Sequence, residues 1–212
     1  MKIIEPSFEV LTPIAGEAGR NMLKLIELSA RTCYKSEGCI TPESAGPFVS
    51  KIATVFKHVS VIEHCSVTVR FICDRGVTHE IVRHRIAAYS QESTRYCNYS
   101  ADKFGNEITV IRPLFWEAGT PNYMQWKFAC EGAEKNYFAL LEAGAKPQEA
   151  RSVLPNSLKT EIVMTANLRE WQHVFTLRCS NKAHPQMQQL MKPLLAHFQQ
   201  HLPELYSDIK PA

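Results

Sequence analysis

Side chains able to do chemistry crowd into the stretch that follows Asp74. An aspartate there can cap a helix, and GVTHEIVRHR behind it carries helical spacing. At about 100° per residue, Val77, Thr78, Ile81 and Val82 share one arc, while His79, Glu80, Arg83 and His84 share the opposite one. Arg85 would fall back on the apolar side, so the helix is expected to end about there, with Arg85 aimed differently from Arg83. Taken alone, the polar arc reads as a solvated face. HEIVRH is a poor metal motif, because His79 and His84 sit about 140° apart around the helix. His197 and His201 have i,i+4 spacing but flank an apolar stripe, where surface histidines are expected. A second charge stands out further on. On a helix spanning Asn167 to Cys179, Arg178 lies among Trp171, Val174 and Asn167, within an apolar arc. An arginine there is costly unless paired, and a buried structural ion pair would satisfy it.

The full string RHRIAAYSQESTRY, Arg83 to Tyr96, sharpens both observations. Arg-His-Arg, seven residues and then Ser93 resembles the signature of the flavin-dependent thymidylate synthases. Further blocks agree in type and spacing. His58-Val-Ser60-Val-Ile-Glu63-His64 resembles that family's upstream flavin segment, and Arg151-Ser-Val-Leu-Pro155 its substrate-arginine segment. Asn167-Leu-Arg169, His173 and Arg178 resemble its C-terminal flavin and substrate segment, so the resemblance spans roughly residues 58–178. One departure is clear. Many members carry Asn-Glu-x-Ser where this chain has Ser90-Gln91-Glu92-Ser93, and Gln91 keeps glutamate's reach but not its charge.

The resemblance implies reductive methylation of dUMP to dTMP, with FAD as cofactor and NADPH and methylenetetrahydrofolate as co-substrates. It implies a dUMP site of Glu80, Ile81, Val82, Arg83, Gln91, Glu92, Ser93, Thr94, Arg95, Arg151 and Arg178. Ser60, Arg83, His84, Arg85, Gln91, Asn167, Leu168, Arg169 and His173 would hold FAD. Arg178 would be catalytic, favouring the anionic form of the uracil ring, and a fixed guanidinium beside a developing anion is a sound electrostatic device. The family also implies a homotetramer in which the Gln91–Arg95 loop enters a neighbour's dUMP site. Arginine's fork suits phosphates and flat heteroaromatic rings, so six arginines would meet a local need that the overall charge hides.

Two nucleophile readings compete. Ser93 occupies a motif position, but no histidine or aspartate in the sequence is tied to it as a base. Cys65 follows His64 but lacks the Pro-Cys-His context of the classical thymidylate synthases. The expectation is no enzymic nucleophile and no metal. Two rival functions are a nucleotide-binding protein without flavin and a metal-dependent phosphohydrolase built on His79, Glu80 and His84.

These residues need a frame. The chain has 212 residues with 45% hydrophobic and 21% charged, enough to bury a core as one domain over residues 1–212. A net charge of +3 is too small to indicate a nucleic-acid surface. Seven cysteines with no CxxC pair suggest neither a disulfide framework nor structural zinc, and free thiols fit the cytoplasm. No signal-peptide layout or membrane-length apolar run is evident.

Strand character is expected over Ile3–Leu11, Ser66–Cys73 and Ile108–Arg112. Helices are expected over Gly19–Arg31, from Thr41-Pro42 to Lys57, Pro121–Ala143, Asn167–Cys179 and Pro185–Leu202, the last kinked at Pro193. Leu158–Ala166 is open between strand and helix, and Ala87–Ser100 is expected to be an ordered loop. Few strands among many helices make the fold α+β, a single domain with a small, mostly antiparallel sheet packed among several helices.

Overall fold

The computed structural model describes residues 1–101 and 105–211. The fold is α+β, with small sheets among helices. Strands β1 (Lys2–Ile4) and β2 (Ser7–Val10) precede helices α1 (Glu17–Thr32) and α2 (Ala45–Ser50). Then come β3 (Ser66–Asp74), α3 (Arg75–Ile81), β4 (Ala87–Gln91), β5 (Thr109–Ile111), α4 (Pro121–Glu142) and α5 (Pro147–Ala150). The chain closes with β6 (Lys159–Asn167), α6 (Leu168–Arg178), α7 (Pro185–His201) and α8 (Pro203–Tyr206).

Four strands form one sheet in the order β2-β3-β6-β4, and β1 pairs with β5 in a separate, parallel pair. The expectation of one mostly antiparallel sheet thus meets two sheets, one of them parallel. β3 and β6 show the period of two that a sheet buried on one face requires. Val67, Val69 and Phe71 are fully buried on β3, as are Ile162 and Met164 on β6. That alternation resolves Leu158–Ala166 as a strand.

The chain gathers into two compact units that interleave along the sequence. The first comprises residues 1–7, 71–83 and 90–163, and the second residues 8–70, 84–89 and 164–212. Neither is contiguous, so neither can be cut out as a stretch of chain. The first has a core of Tyr99, Ile108, Val110, Cys130, Tyr137, Ala150 and Leu158. The second is centred on Trp171, Phe175, Phe198 and Tyr206, whose ring centroids lie 5.1–5.8 Å apart. Buried polar tips are satisfied: Trp171 Nε1 donates to Val67 O at 3.0 Å and Tyr206 OH to Leu168 O at 2.8 Å. Gly19 is required where α1 passes close to backbone, since a Cβ there would lie 2.3 Å from Ile14 O.

Three expectations are corrected. The helix from Thr41-Pro42 begins at Ala45 instead, because Ser44 Oγ bonds Glu27 Oε2 and the Thr41 backbone, making a turn of residues 41–44. From Lys51 to Val55 it continues as a π-helical turn and ends before Lys57. The first five residues of the expected loop Ala87–Ser100 are β4. α3 stops at Ile81 rather than near Arg85, so the helical wheel fails beyond it: Val82 is exposed and His84 is buried. α7 runs through Pro193. Among the described residues no helix is long and apolar enough to cross a membrane, and all seven cysteines are free.

Asp74 ends β3 and starts α3, its Oδ1 accepting from Val77 N at 2.7 Å in a buried setting. Asp74→Ala is expected to lower stability by about 1–2 kcal/mol, and Asp74→Asn by less, because asparagine keeps the accepting oxygen. Urea unfolding midpoints of the three proteins check this; equal midpoints for Ala and Asn would contradict it.

Candidate active site

The expected site residues divide between the two units. Glu80, Ile81, Val82, Arg83, Gln91, Glu92, Ser93, Thr94, Arg95 and Arg151 lie in the first. Ser60, His84, Arg85, Asn167, Leu168, Arg169, His173 and Arg178 lie in the second. The Arg-His-Arg motif therefore changes unit between Arg83 and His84. Ile81 and Leu168 are fully buried, so neither presents surface to a ligand in this structure.

In the first unit, the motif loop is held at several points. Arg151 Nη1 donates to Thr94 Oγ1 at 3.1 Å, which brings the distant arginine segment onto the loop. Glu92 accepts from Lys159 Nζ at 2.9 Å and from Tyr99 OH at 3.3 Å, at the edge of a cleft of about 320 Å³ also lined by Lys2, Glu107 and Thr109. Burial works against the charge of Lys159, yet its hydrogen bonds to Glu161 and Glu92 leave its pKa raised. Ser93 Oγ accepts from Arg95 N at 3.3 Å, and among the described residues no histidine or carboxylate approaches it as a base.

Gln91 has a local reason. Thr78 Oγ1 donates to Arg75 O at 2.9 Å, so its proton is committed and it can only accept. Gln91 Nε2 donates to it at 3.0 Å and to Thr160 Oγ1 at 3.3 Å. A carboxylate at this position would face an oxygen lone pair.

In the second unit, Asn167 caps α6, its Oδ1 accepting from Glu170 N at 2.8 Å. Asn167, Arg169, His173 and Glu170 line a cleft of about 370 Å³ with Glu63 and Ile86. Arg169 is ion-paired with Glu63. This donor set fits an FAD. Arg169 and the exposed His173 would offer donors to a diphosphate, Ile86 would offer apolar surface, and Glu63 would have to yield Arg169.

Behind that cleft stands a cluster that the sequence alone did not assemble. Arg178 is half-buried and donates through Nε to His84 Nε2 at 2.9 Å. His84 Nδ1 lies 3.5 Å from Glu170 Oε1, Tyr89 OH donates to His84 O at 2.7 Å, and the His173 ring meets His84 edge-on at 5.8 Å. Burial first, then Arg178 and His173, push the His84 pKa down to about 4, so the ring is neutral at pH 7 and its contact with Glu170 is no ion pair. Burial pushes the Glu170 carboxyl up. His84, Glu170 and His173 also present donor atoms within 4.8 Å of one another. These are not the His79, Glu80 and His84 of the phosphohydrolase reading, and the Arg178 guanidinium already occupies His84 Nε2.

Glu170 and Tyr89 join this cluster without having been singled out in the sequence. Glu170 carried a signal: it precedes Arg178 by two i,i+4 steps, on the same side of α6. Tyr89 carried none.

The comparisons decide the family. Residues 18–204 match the family model described as thymidylate synthase complementing protein. The chain belongs to that family. It is 33% identical over 193 residues to a flavin-dependent thymidylate synthase of Geobacter sulfurreducens, covering 88% of this chain and 81% of the relative. It is 36% identical over 129 residues to a flavin-dependent thymidylate synthase of Pyrococcus abyssi, with 60% of this chain and 52% of that protein covered. The fold agrees with thymidylate synthase X of Helicobacter pylori, solved with FAD and dUMP, at a TM-score of 0.73 and 24% identity, covering 96% of this chain and 98% of that one. It agrees with a UMP/dUMP methylase of Streptomyces cacaoi, bound with 5-Br dUMP, at 0.77 and 20%, covering 98% and 96%.

The buried neutral histidine sets a pH dependence. Between about pH 6.5 and 4 the unfolded chain protonates His84 and the folded chain does not, so its effect is to lower stability as pH falls through that window. The raised Glu170 pKa works in the opposite sense and reduces the slope. Replacing His84 by Gln is expected to flatten the loss of stability between pH 6.5 and 4. Urea midpoints measured across this range for both proteins check it, and identical slopes would contradict it.

Proposed function

We propose that this chain methylates dUMP reductively to dTMP as an FAD-dependent thymidylate synthase. Methylenetetrahydrofolate is the carbon donor, and NADPH reduces the flavin. The observation that carries this reading is Arg178, held at its Nε edge by a neutral histidine of the Arg-His-Arg motif. FAD, when bound, supplies the hydride chemistry. Arg169 and His173 orient the cofactor, with Asn167 fixing the start of their helix. Arg151 and the Gln91–Arg95 loop bind and orient the nucleotide. Arg178 acts on the uracil, where a fixed positive charge favours the anionic ring and activates the carbon to be methylated.

No enzymic nucleophile is needed. Ser93 Oγ accepts a backbone amide, and among the described residues no histidine or carboxylate is hydrogen-bonded to it to take its proton. Cys65 is buried, donates to Met22 O at 3.6 Å and has its pKa raised by burial, which disfavours the thiolate. The whole of residues 1–212 acts as one such domain, and its free thiols suit the cytoplasm.

The first test combines spectrum and turnover. The purified protein is expected to show oxidised FAD bands that NADPH bleaches. Arg178→Ala is expected to keep FAD and lose roughly 100-fold or more in dTMP formation. A colourless protein that cannot be reconstituted with FAD, or near-normal turnover by the variant, would overturn the reading.

The active enzyme is a homotetramer in which the Gln91–Arg95 loop completes a neighbour's dUMP site. Support comes from α6, which carries Arg178 on one side and exposed Arg169 and His173 on another. Co-expressed Arg95→Ala and Arg178→Ala chains, each inactive alone, are expected to regain activity. Random mixing leaves roughly a quarter of shared sites intact by symmetry. Mixed assemblies, verified with differential tags, that stay inactive would show that one chain supplies both arginines.

A further inference from the structure

We propose that Glu170 is a positioning residue for Arg178, acting through the imidazole of His84. Its catalytic meaning rests on the role given to Arg178 above; its structural content does not. Arg178 Nε always carries a hydrogen and donates it to His84 Nε2 at 2.9 Å, so that nitrogen is unprotonated. A neutral imidazole has one proton, which must then sit on Nδ1. The carboxylate facing Nδ1 is Glu170, with Oε1 at 3.5 Å and its side chain 8% exposed. That separation is longer than the usual N–H···O hydrogen bond, so Glu170 offers an accepting oxygen to the Nδ1–H dipole across a long contact. It selects the tautomer and draws the ring proton away from Nε2, which makes Nε2 the better acceptor for Arg178.

The other contacts lock the geometry. Glu170 N is bonded to the Asn167 cap, and His84 O takes the Tyr89 hydroxyl. Burial holds the Tyr89 pKa up at about 12, against the influence of Arg178, so it remains a donor. Glu170 and Arg178 also stand on one rigid helix with an aromatic core behind it. The arginine edge that Nε occupies is thus fixed by a chain running Glu170, His84, Arg178. A misplacement of the order of 1 Å at a reacting group can cost about 100-fold in rate.

Nitrogen-15 spectra of labelled histidine rings in the FAD-loaded protein test this, with His84→Gln assigning the signal. Wild type is expected to show His84 as the Nδ1–H tautomer. Glu170→Gln, which retains an accepting oxygen, is expected to keep that tautomer and to hold kcat within roughly threefold. Glu170→Leu is expected to shift the ring towards the Nε2–H form. Its kcat per bound flavin should fall at least about tenfold, while KM for dUMP stays within about twofold. An Nε2–H ring in wild type overturns the proposal by itself, even if the Leu variant fails to fold. Equal loss in the Gln and Leu variants, or stoichiometric zinc on the purified protein with chelator-sensitive activity, also overturns it. A wild-type protein that makes no dTMP but shows the expected tautomers would count against the function and not against this arrangement.

Discussion

A neutral imidazole wedged between a guanidinium and a carboxylate organises the second unit. His84 sits beside Arg178 and Glu170, and were it charged it would face a cation at 2.9 Å in a buried place. Burial and that cation keep the proton off. The neutral ring can then do what a charged one cannot: accept from an arginine on one side while presenting N–H to a carboxylate on the other. Arg178 is tolerated on an apolar face because of this. At its Nε edge the arginine meets a ring whose far nitrogen faces a carboxylate.

The requirement reaches into the backbone. A helix continued from α3 would place the His84 ring on its polar arc; ending at Ile81 frees the chain to bury the ring instead. The residues after the motif then enter β4, where Tyr89 reaches back to the His84 carbonyl. α6 contributes from the other direction. Its cap at Asn167 aligns Glu170, its apolar face anchors on Trp171 and Phe175, and Arg178 emerges at its end. The arginine is therefore positioned by a helix anchored in the aromatic core of that unit.

Around Gln91 in the first unit, the contacts are made by hydroxyls and an amide. The departure at Gln91 fits its surroundings because Thr78 has no proton to give a carboxylate. Charge has moved one residue on, to Glu92, where Lys159 neutralises it. Arg151 meets the same loop through Thr94. Contacts within the chain thus hold this loop at several points.

Local pattern was enough for β3, α1, α4, α6 and α7, because each carries a long run of side chains with one clear period or a cap. It was enough, too, for the motif Arg83–Ser93 and for the oddity of Arg178, since a charge inside an apolar arc is visible on a wheel. Short and mixed segments were not legible. β4 reads as polar loop because its ordering comes from pairing within the sheet, and the helix at Ala45 starts late because a distant buried glutamate holds Ser44. The division of the motif between two units, the neutral state of His84 and the part played by Glu170 depend on residues far apart in sequence, 94 positions in the case of Arg178 and His84. Residue types and spacing determined which groups the chain brings to its chemistry. Tertiary packing decided which of them are buried together, and burial decides their charge.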